Sequence, residues 1–173
     1  QGLSTLTIDP QSSAFAYLTD ANRKIAKYGP IIRKLLWRSA DSIMNEGIHQ
    51  STILSEYKLN DLSVVQSDIG HYEGYVQCGF YLDNYSLPTF MLVNRRSVFR
   101  TTSSNEVVQM PVDDDFVNAP PQTVCFEPDD PSHGIFGTHI ALYDPYDDKI
   151  YKSTSGVIDV KIDPGDGKLL QMC

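Results

Sequence analysis

Tyr75-Val76-Gln77-Cys78-Gly79-Phe80-Tyr81-Leu82 and, across the loop Asp83–Pro88, Thr89-Phe90-Met91-Leu92-Val93 decide how this chain is read. The first run alternates in polarity and is bounded by Gly74 and Asp83-Asn84, and the second follows Leu87-Pro88. Successive side chains of a strand point to opposite faces, so alternation on both sides of a Pro-containing loop predicts two adjacent antiparallel strands. Further β-prone runs are Leu54–Val65, Glu106–Pro111, Thr123–Phe126, His139–Tyr143, Lys149–Lys152 and Val157–Ile162, with Lys168–Met172 as a short closing strand. Asp144-Pro145-Tyr146-Asp147-Asp148 and Asp163-Pro164-Gly165-Asp166-Gly167 have the composition of turns between strands. Short strands at intervals of roughly 8–12 residues indicate an antiparallel sandwich or barrel. The expected fold is mainly β, an antiparallel β-sandwich with a jelly-roll arrangement open, preceded by an N-terminal amphipathic helical segment.

That helical segment is read from Ser12 to about Met44, where Leu18, Ala21, Ile25, Tyr28, Ile32 and Leu35 recur at spacings of three and four and form one apolar stripe. Arg23, Lys24, Lys27, Arg33, Lys34 and Arg38 fall on other faces, as in a docked helix with a solvated basic side. Gly29-Pro30 is expected to break or kink it, with Pro30 opening a second helix. The domain reading is a helical lead-in over residues 1–50, the end of a larger upstream domain, and a β-sandwich over 51–173. Leu18, Ile25, Ile32 and Leu35 are the expected interface, facing the sandwich, an upstream domain of the same polypeptide, or a protein partner.

The 173 residues suffice for one ordinary domain with a sizeable core, and 41% hydrophobic and 21% charged residues exclude disordered and collagen-like classes. No run approaches the roughly 20 apolar residues of a bilayer span, so no membrane span is expected. Gln1–Thr7 is not a charged segment leading into an apolar one, and a start at Gln1 with an end at Cys173 suggests a mature product, a proteolytic fragment or part of a longer polypeptide. The net charge of −8 is uneven: residues 1–38 carry six basic and two acidic side chains, residues 39–173 eight basic and twenty acidic. An acidic main domain argues against nucleic acid as a partner and suggests that the basic helix docks on acidic surface.

Cys78, Cys125 and Cys173 are widely spaced and match no CxxC pattern. Cys78 lies in an apolar alternation and reads as a buried core thiol, with a Cys78–Cys125 disulfide as the alternative. His49, His71, His133 and His139 show no metal-ligand spacing, and no nucleophile elbow, Walker loop or dinucleotide fingerprint occurs, so no catalytic residue is assigned. Three acidic clusters stand out: Asp113-Asp114-Asp115, Glu127 with Asp129-Asp130, and Asp144 with Asp147-Asp148. Hard cations take several carboxylate oxygens, so Ca²⁺ on Asp144, Asp147 and Asp148 is the one metal candidate, against the plainer reading of solvated loop charge. A carboxylate pair could also serve a glycosidase, but nothing in the sequence selects one. Tyr72, Tyr75, Tyr81, Tyr85, Tyr143, Tyr146 and Tyr151 could stack on sugar rings, although strand-face packing accounts for most such residues.

Three stretches together bring a family into view. Ala21–Pro30, with Asn22, Ile25, Gly29 and Pro30 in an N-x-x-I-x-x-x-G-P pattern, and the following Ile31–Leu36 resemble the last helix of a glycosidase-like (β/α) barrel that precedes a trailing β-domain. Tyr75–Tyr81 followed by Phe90–Arg96 resembles paired strands ending in Val-Asn-Arg, and Asp163–Leu170 is similar to a closing Pro-Gly-x-Gly-Lys-Leu strand. The resemblance is to C-terminal β-sandwich tails of large secreted or surface bacterial proteins of the Bacteroidetes type, glycoside-hydrolase-like. It implies a position at the C-terminal end of a longer secreted or surface polypeptide and a fold rather than an activity, so no catalytic residue is carried over from it; the location expected is extracellular or cell-surface, and no cofactor is expected beyond the Ca²⁺ candidate. Of Arg95 and Arg96, which point to opposite strand faces, one is expected to pair with a carboxylate of the acidic loops. The leading expectation is a non-catalytic accessory β-sandwich; the alternatives are a self-assembling coat or shell protein, a carbohydrate-binding protein, and a small hydrolase using acidic residues.

Overall fold

The structure, a computed structural model, describes residues 13–43, 51–65, 76–95, 100–101, 107–108, 121–129, 140–153 and 156–173. The chain divides into two compact units, Gln1–Lys34 and Leu35–Cys173. In the first, α1 spans Ser13–Ile32. The expected break at Gly29-Pro30 does not occur: Pro30 lies inside the helix, in its last turn. A proline there removes one backbone donor close to where the helix ends anyway, and Arg33 N–H to the Gly29 carbonyl at 3.1 Å and Lys34 N–H to the Ile31 carbonyl at 2.9 Å close the terminus.

The second unit is a β-sandwich. Its strands are β1 (Leu36–Ile43), β2 (Leu59–Val64), β3 (Val76–Leu82), β4 (Pro88–Asn94), β5 (Arg100–Thr101), β6 (Val107–Val108), β7 (Gln122–Pro128), β8 (Ala141–Asp144), β9 (Lys149–Lys152), β10 (Ile158–Ile162) and β11 (Gly167–Met172), with a short helix α2 at Ser51–Glu56. Among the described residues they form a six-stranded sheet in the order β1-β3-β4-β11-β8-β9, a three-stranded sheet β10-β7-β2 and a small ribbon β5-β6, all antiparallel. The β3–β4 hairpin is antiparallel, as expected, with Cys78 opposite Leu92 and Phe80 opposite Phe90. Val76, Cys78, Phe80, Phe90, Leu92, Leu142 and Leu170 from the larger sheet meet Leu62, Val64, Val124, Phe126, Ile158, Val160 and Ile162 from the smaller in one core. These are alternate positions along each strand, the period-two signature of a sheet with one face inside. Ile53, Leu54 and Tyr57 from α2 and the residue after it complete the core.

Two sequence expectations are corrected. Helix does not continue to Met44, because Leu36–Ile43 is a strand paired with β3 from Leu36 opposite Leu82 to Ile43 opposite Val76. Leu54 is not the start of a strand: α2 runs to Glu56, Lys58 turns the chain in the left-handed region at φ 58°, and only Leu59–Val64 is extended. Both errors have one physical origin, since short apolar runs fit either period and the strand contacts that decide between them are non-local.

The two predicted turns are present and do different work. Residues 145–148 join neighbours β8 and β9, whereas Asp163–Asp166 carries the chain from the three-stranded sheet to the six-stranded one. Gly165, at φ 73°, supplies the left-handed conformation this crossover needs. Asn94, fully buried at the end of β4, ties the crossover in place: its N–H donates to the Asp166 carbonyl at 2.9 Å, its carbonyl accepts from Gly165 N–H at 3.1 Å, and its side-chain amide donates to the Ile162 carbonyl at 3.2 Å.

Candidate functional site

The expected interface residues fall on α1. Leu18, Ile25 and Ile32 are exposed at 49, 68 and 39%, Tyr28 is buried, and Leu35 is half-buried at the start of the second unit. Beside them Lys24 pairs with Asp20 one turn earlier at 3.2 Å. No helix among the described residues is long and apolar enough to cross a membrane.

The acidic turn after β8 is built around a lysine. Asp144 lies on the core side of β8, fully buried, and its Oδ1 accepts the N–H of Tyr146 at 2.9 Å, the geometry of an Asx turn. Its Oδ2 accepts from Lys168 Nζ at 3.1 Å, and Asp147 Oδ2 accepts from the same ammonium at 2.7 Å. Burial works against the charge of Lys168, but the hydrogen bonds to Asp147 and Asp144 outweigh it and raise its pKa above the ordinary lysine value. Asp148 accepts from the Tyr143 hydroxyl at 3.0 Å, and this hydrogen bond raises the pKa of that phenol. The three residues offered as Ca²⁺ ligands are thus directed at a lysine, a tyrosine and a backbone N–H. Among the described residues no three His, Cys, Asp or Glu side chains gather so as to hold a metal.

The outer face of the three-stranded sheet centres on Cys125. Because Val124 and Phe126 face the core, Cys125 faces outward, opposite Asp159 on β10 and Ser63 on β2, while Cys78 points into the core from the other sheet. The two thiols therefore lie on different faces, and the alternative of a Cys78–Cys125 disulfide is not realised: all three cysteines are free. The Cys125 thiol donates to Asp159 Oδ1 at 2.9 Å. Burial, that hydrogen bond and the charges of Asp159, Asp61 and Glu127 push its pKa up to about 12. A thiol held protonated is a poor nucleophile, so this group is not poised for catalysis. Folding favours the protonated form, so its contribution to stability is intact below the ordinary value of 9.0 and declines as pH rises towards about 12. Alkylation by iodoacetamide at pH 8, followed by peptide mass spectrometry, should be slower at Cys125 than at an ordinary exposed thiol by a hundredfold or more, on the order expected from the thiolate fraction. Asp159→Asn should speed it; equal rates in both proteins would show that the carboxylate does not hold the proton.

A polar inset beneath the edge strand β1 left no signal in the sequence. Ser39 and Asp41 lie opposite Phe80 and Cys78, on the face of β3 that enters the core. The Ser39 and Tyr57 hydroxyls are buried and have no hydrogen-bond partner among the described residues, and burial together with Asp41 drives the Cys78 thiol pKa well above its usual range. Inward polar groups and the irregularity between Trp37 and Ser39 blunt this edge against pairing with another strand.

The remaining candidates are dispersed. Tyr81, Tyr143, Tyr146 and Tyr151 are half-buried, Tyr85 is exposed, and Lys149 lies 4.3 Å over the Tyr151 ring. Arg95 is exposed. Arg96, Tyr72, Tyr75, Asp113–Asp115, Asp130 and the four histidines lie outside the described residues. No family model, no curated protein and no solved structure matches the chain.

Proposed function

We propose that this chain is a non-catalytic β-sandwich module that works by association, docking on a protein domain through α1 as an accessory part of a larger secreted or surface protein. The observation that carries the reading is the exposure of Ile25, Leu18 and Ile32 along one side of a helix. Apolar side chains aligned on one face of a helix normally lie against something, whereas scattered ones need no explanation. The chemistry of the polar groups supports the same reading, since the Cys125 thiol is held protonated and Asp144 and Asp147 are engaged by Lys168.

Ile25→Asp is expected to leave the melting temperature within about 2 °C of the parent, as surface changes do, while lowering the fluorescence of a bound hydrophobic dye by at least about half. Unchanged dye binding would remove the association surface. A panel of aryl-glycosides and polysaccharides should show no turnover, and turnover abolished when one acidic residue becomes its amide would overturn the non-catalytic reading.

Carbohydrate binding is favoured by one further observation. Trp37 and Tyr85 are exposed at 65 and 85% at the same end of the six-stranded sheet, where Leu36 pairs with Leu82 and Trp37 with Tyr81. Because Trp37 is the sole tryptophan, its fluorescence reports directly on a sugar stacked there. A saturable change with any oligosaccharide would establish this second activity.

A further inference from the structure

Among the described strands β1 is the first in sequence, and it lies at the edge of the six-stranded sheet, paired with β3 alone. It can therefore leave the sheet without any other strand having to cross it. Of its eight residues only Ile43 joins the core, whereas β3 contributes Val76, Cys78 and Phe80. The other inward positions of β1 are taken by Leu36, which stands opposite Leu82 yet is 63% exposed, and by Ser39 and Asp41 opposite Phe80 and Cys78. The ladder to β3 is itself interrupted between Trp37 and Ser39. Outside the ladder, Arg38 pairs with Glu56 of α2 at 2.6 Å, but both side chains are partly exposed, and ion pairs of that kind contribute little. A strand held so largely by backbone hydrogen bonds is drawn from the low-stability end of a fold.

The place that β1 fills suits a different strand better. The Ser39 hydroxyl is buried with no hydrogen-bond partner among the described residues, and the equally unpartnered Tyr57 hydroxyl supplies none. Leaving a buried hydroxyl unpaired costs more than the bond itself contributes elsewhere. Asp41 adds a half-buried carboxylate opposite the fully buried Cys78. Detaching β1 returns Ser39 and Asp41 to water and bares the edge of β3, whose inward side chains Val76, Cys78 and Phe80 are all apolar. An incoming strand with aliphatic side chains at the register positions of Ser39 and Asp41 would make the same ladder and bury apolar surface where β1 buries polar groups. The β1 of a second copy carries the same two polar residues and gains nothing by exchange.

We propose that β1 is a displaceable strand, which opens without the rest of the sandwich and yields its place on β3 to an extended segment of a partner protein with aliphatic side chains at the positions of Ser39 and Asp41. This behaviour is independent of the α1 face, so the Ile25→Asp dye experiment has no bearing on it. In the whole chain, alkylation of Cys78 is followed by peptide mass spectrometry over a urea series below the unfolding transition. It should proceed through an opening whose urea dependence is less than about half that of global unfolding, and the amides of residues 36–43 should exchange through the same opening while those of β4 and β11 do not. Ser39→Val combined with Asp41→Leu should slow the alkylation at least about tenfold, because the groups removed favour the open state. A peptide with the sequence of Leu36–Ile43 carrying Ser39→Val and Asp41→Leu should bind the parent, by anisotropy, at least about tenfold tighter than the unsubstituted peptide or one of scrambled order. The same peptide should bind at least about tenfold more weakly to the chain that carries both substitutions, whose own β1 competes better. Cys78 alkylation only through global unfolding, equal binding of the three peptides, no binding of the substituted one, or binding indifferent to the substitutions in the chain would overturn the proposal. A concentration-dependent dimer that the double substitution abolishes would overturn the choice of a partner protein in favour of a second copy.

Discussion

Phe90→Ala is expected to lower the unfolding free energy by about 3–5 kcal/mol, the range for truncating a fully buried aromatic. Phe90 is the meeting point of three elements: its ring centroid lies 5.6 Å from Tyr57 after α2, 6.0 Å from Phe80 on the neighbouring strand and 5.1 Å from Phe126 on the opposite sheet. Aromatic contacts of this kind, two of them edge-on and that with Tyr57 tilted, add about 0.5–1.5 kcal/mol per pair to the burial itself. Domains hold only about 5–15 kcal/mol in all, so the variant should unfold at a much lower urea concentration, with unchanged slope. A loss under about 1.5 kcal/mol would mean that the aromatic cluster does not join the two sheets.

The second large effect concerns Lys168. Lys168→Met removes the ammonium between Asp144 and Asp147 and leaves the fully buried Asp144 carboxylate without its cation, at an expected cost of about 3–5 kcal/mol. Pairing the substitution with Asp144→Leu should recover most of the loss, because the penalty lies in the stranded charge and not in the missing attraction. The Asx turn would still be absent from the double variant, which limits recovery to within about 1 kcal/mol of the parent. Chemical denaturation of the four proteins of the cycle measures the coupling, and strictly additive losses would refute it. The folded-state pKa of Lys168 is raised, so as long as both carboxylates are ionised the parent keeps this contribution below the ordinary lysine value of 10.5 and loses it as the pH rises through the higher folded value.

How much was legible in the sequence depended on the range of each interaction. The β3–β4 hairpin, the turn after Asp144 and the burial of Cys78 were readable because alternation and turn chemistry act within a few residues. β1 was not, since Leu35 and Leu36 extend the helical stripe and only pairing with β3, some forty residues away, makes Leu36–Ile43 extended. The same holds for the polar groups. Asp144, Asp147 and Asp148 could be read as a cluster of anions, but its meaning changed once β11 brought Lys168 to Asp144 and Asp147 from more than twenty residues downstream. Cys125 and Asp159 are likewise neighbours only across strands β7 and β10. No local pattern encodes a thiol held protonated.

The position of β11 has a consequence for how the protein is made. It is the last of the described strands in sequence, yet it lies in the interior of the six-stranded sheet, hydrogen-bonded to β4 on one side and β8 on the other. During synthesis, β1, β3 and β4 can assemble as one ribbon and β8 with β9 as another, but the ribbons cannot be joined before Gly167–Met172 has left the ribosome. Until then the nascent chain presents two open edges, one on β4 and one on β8, each a template for a strand of a neighbouring chain. A premature stop between Lys152, the end of β9, and Gly167 would fix that state permanently. Such products should appear in the insoluble fraction of the cell, even though they retain most of the strands of the finished sheet.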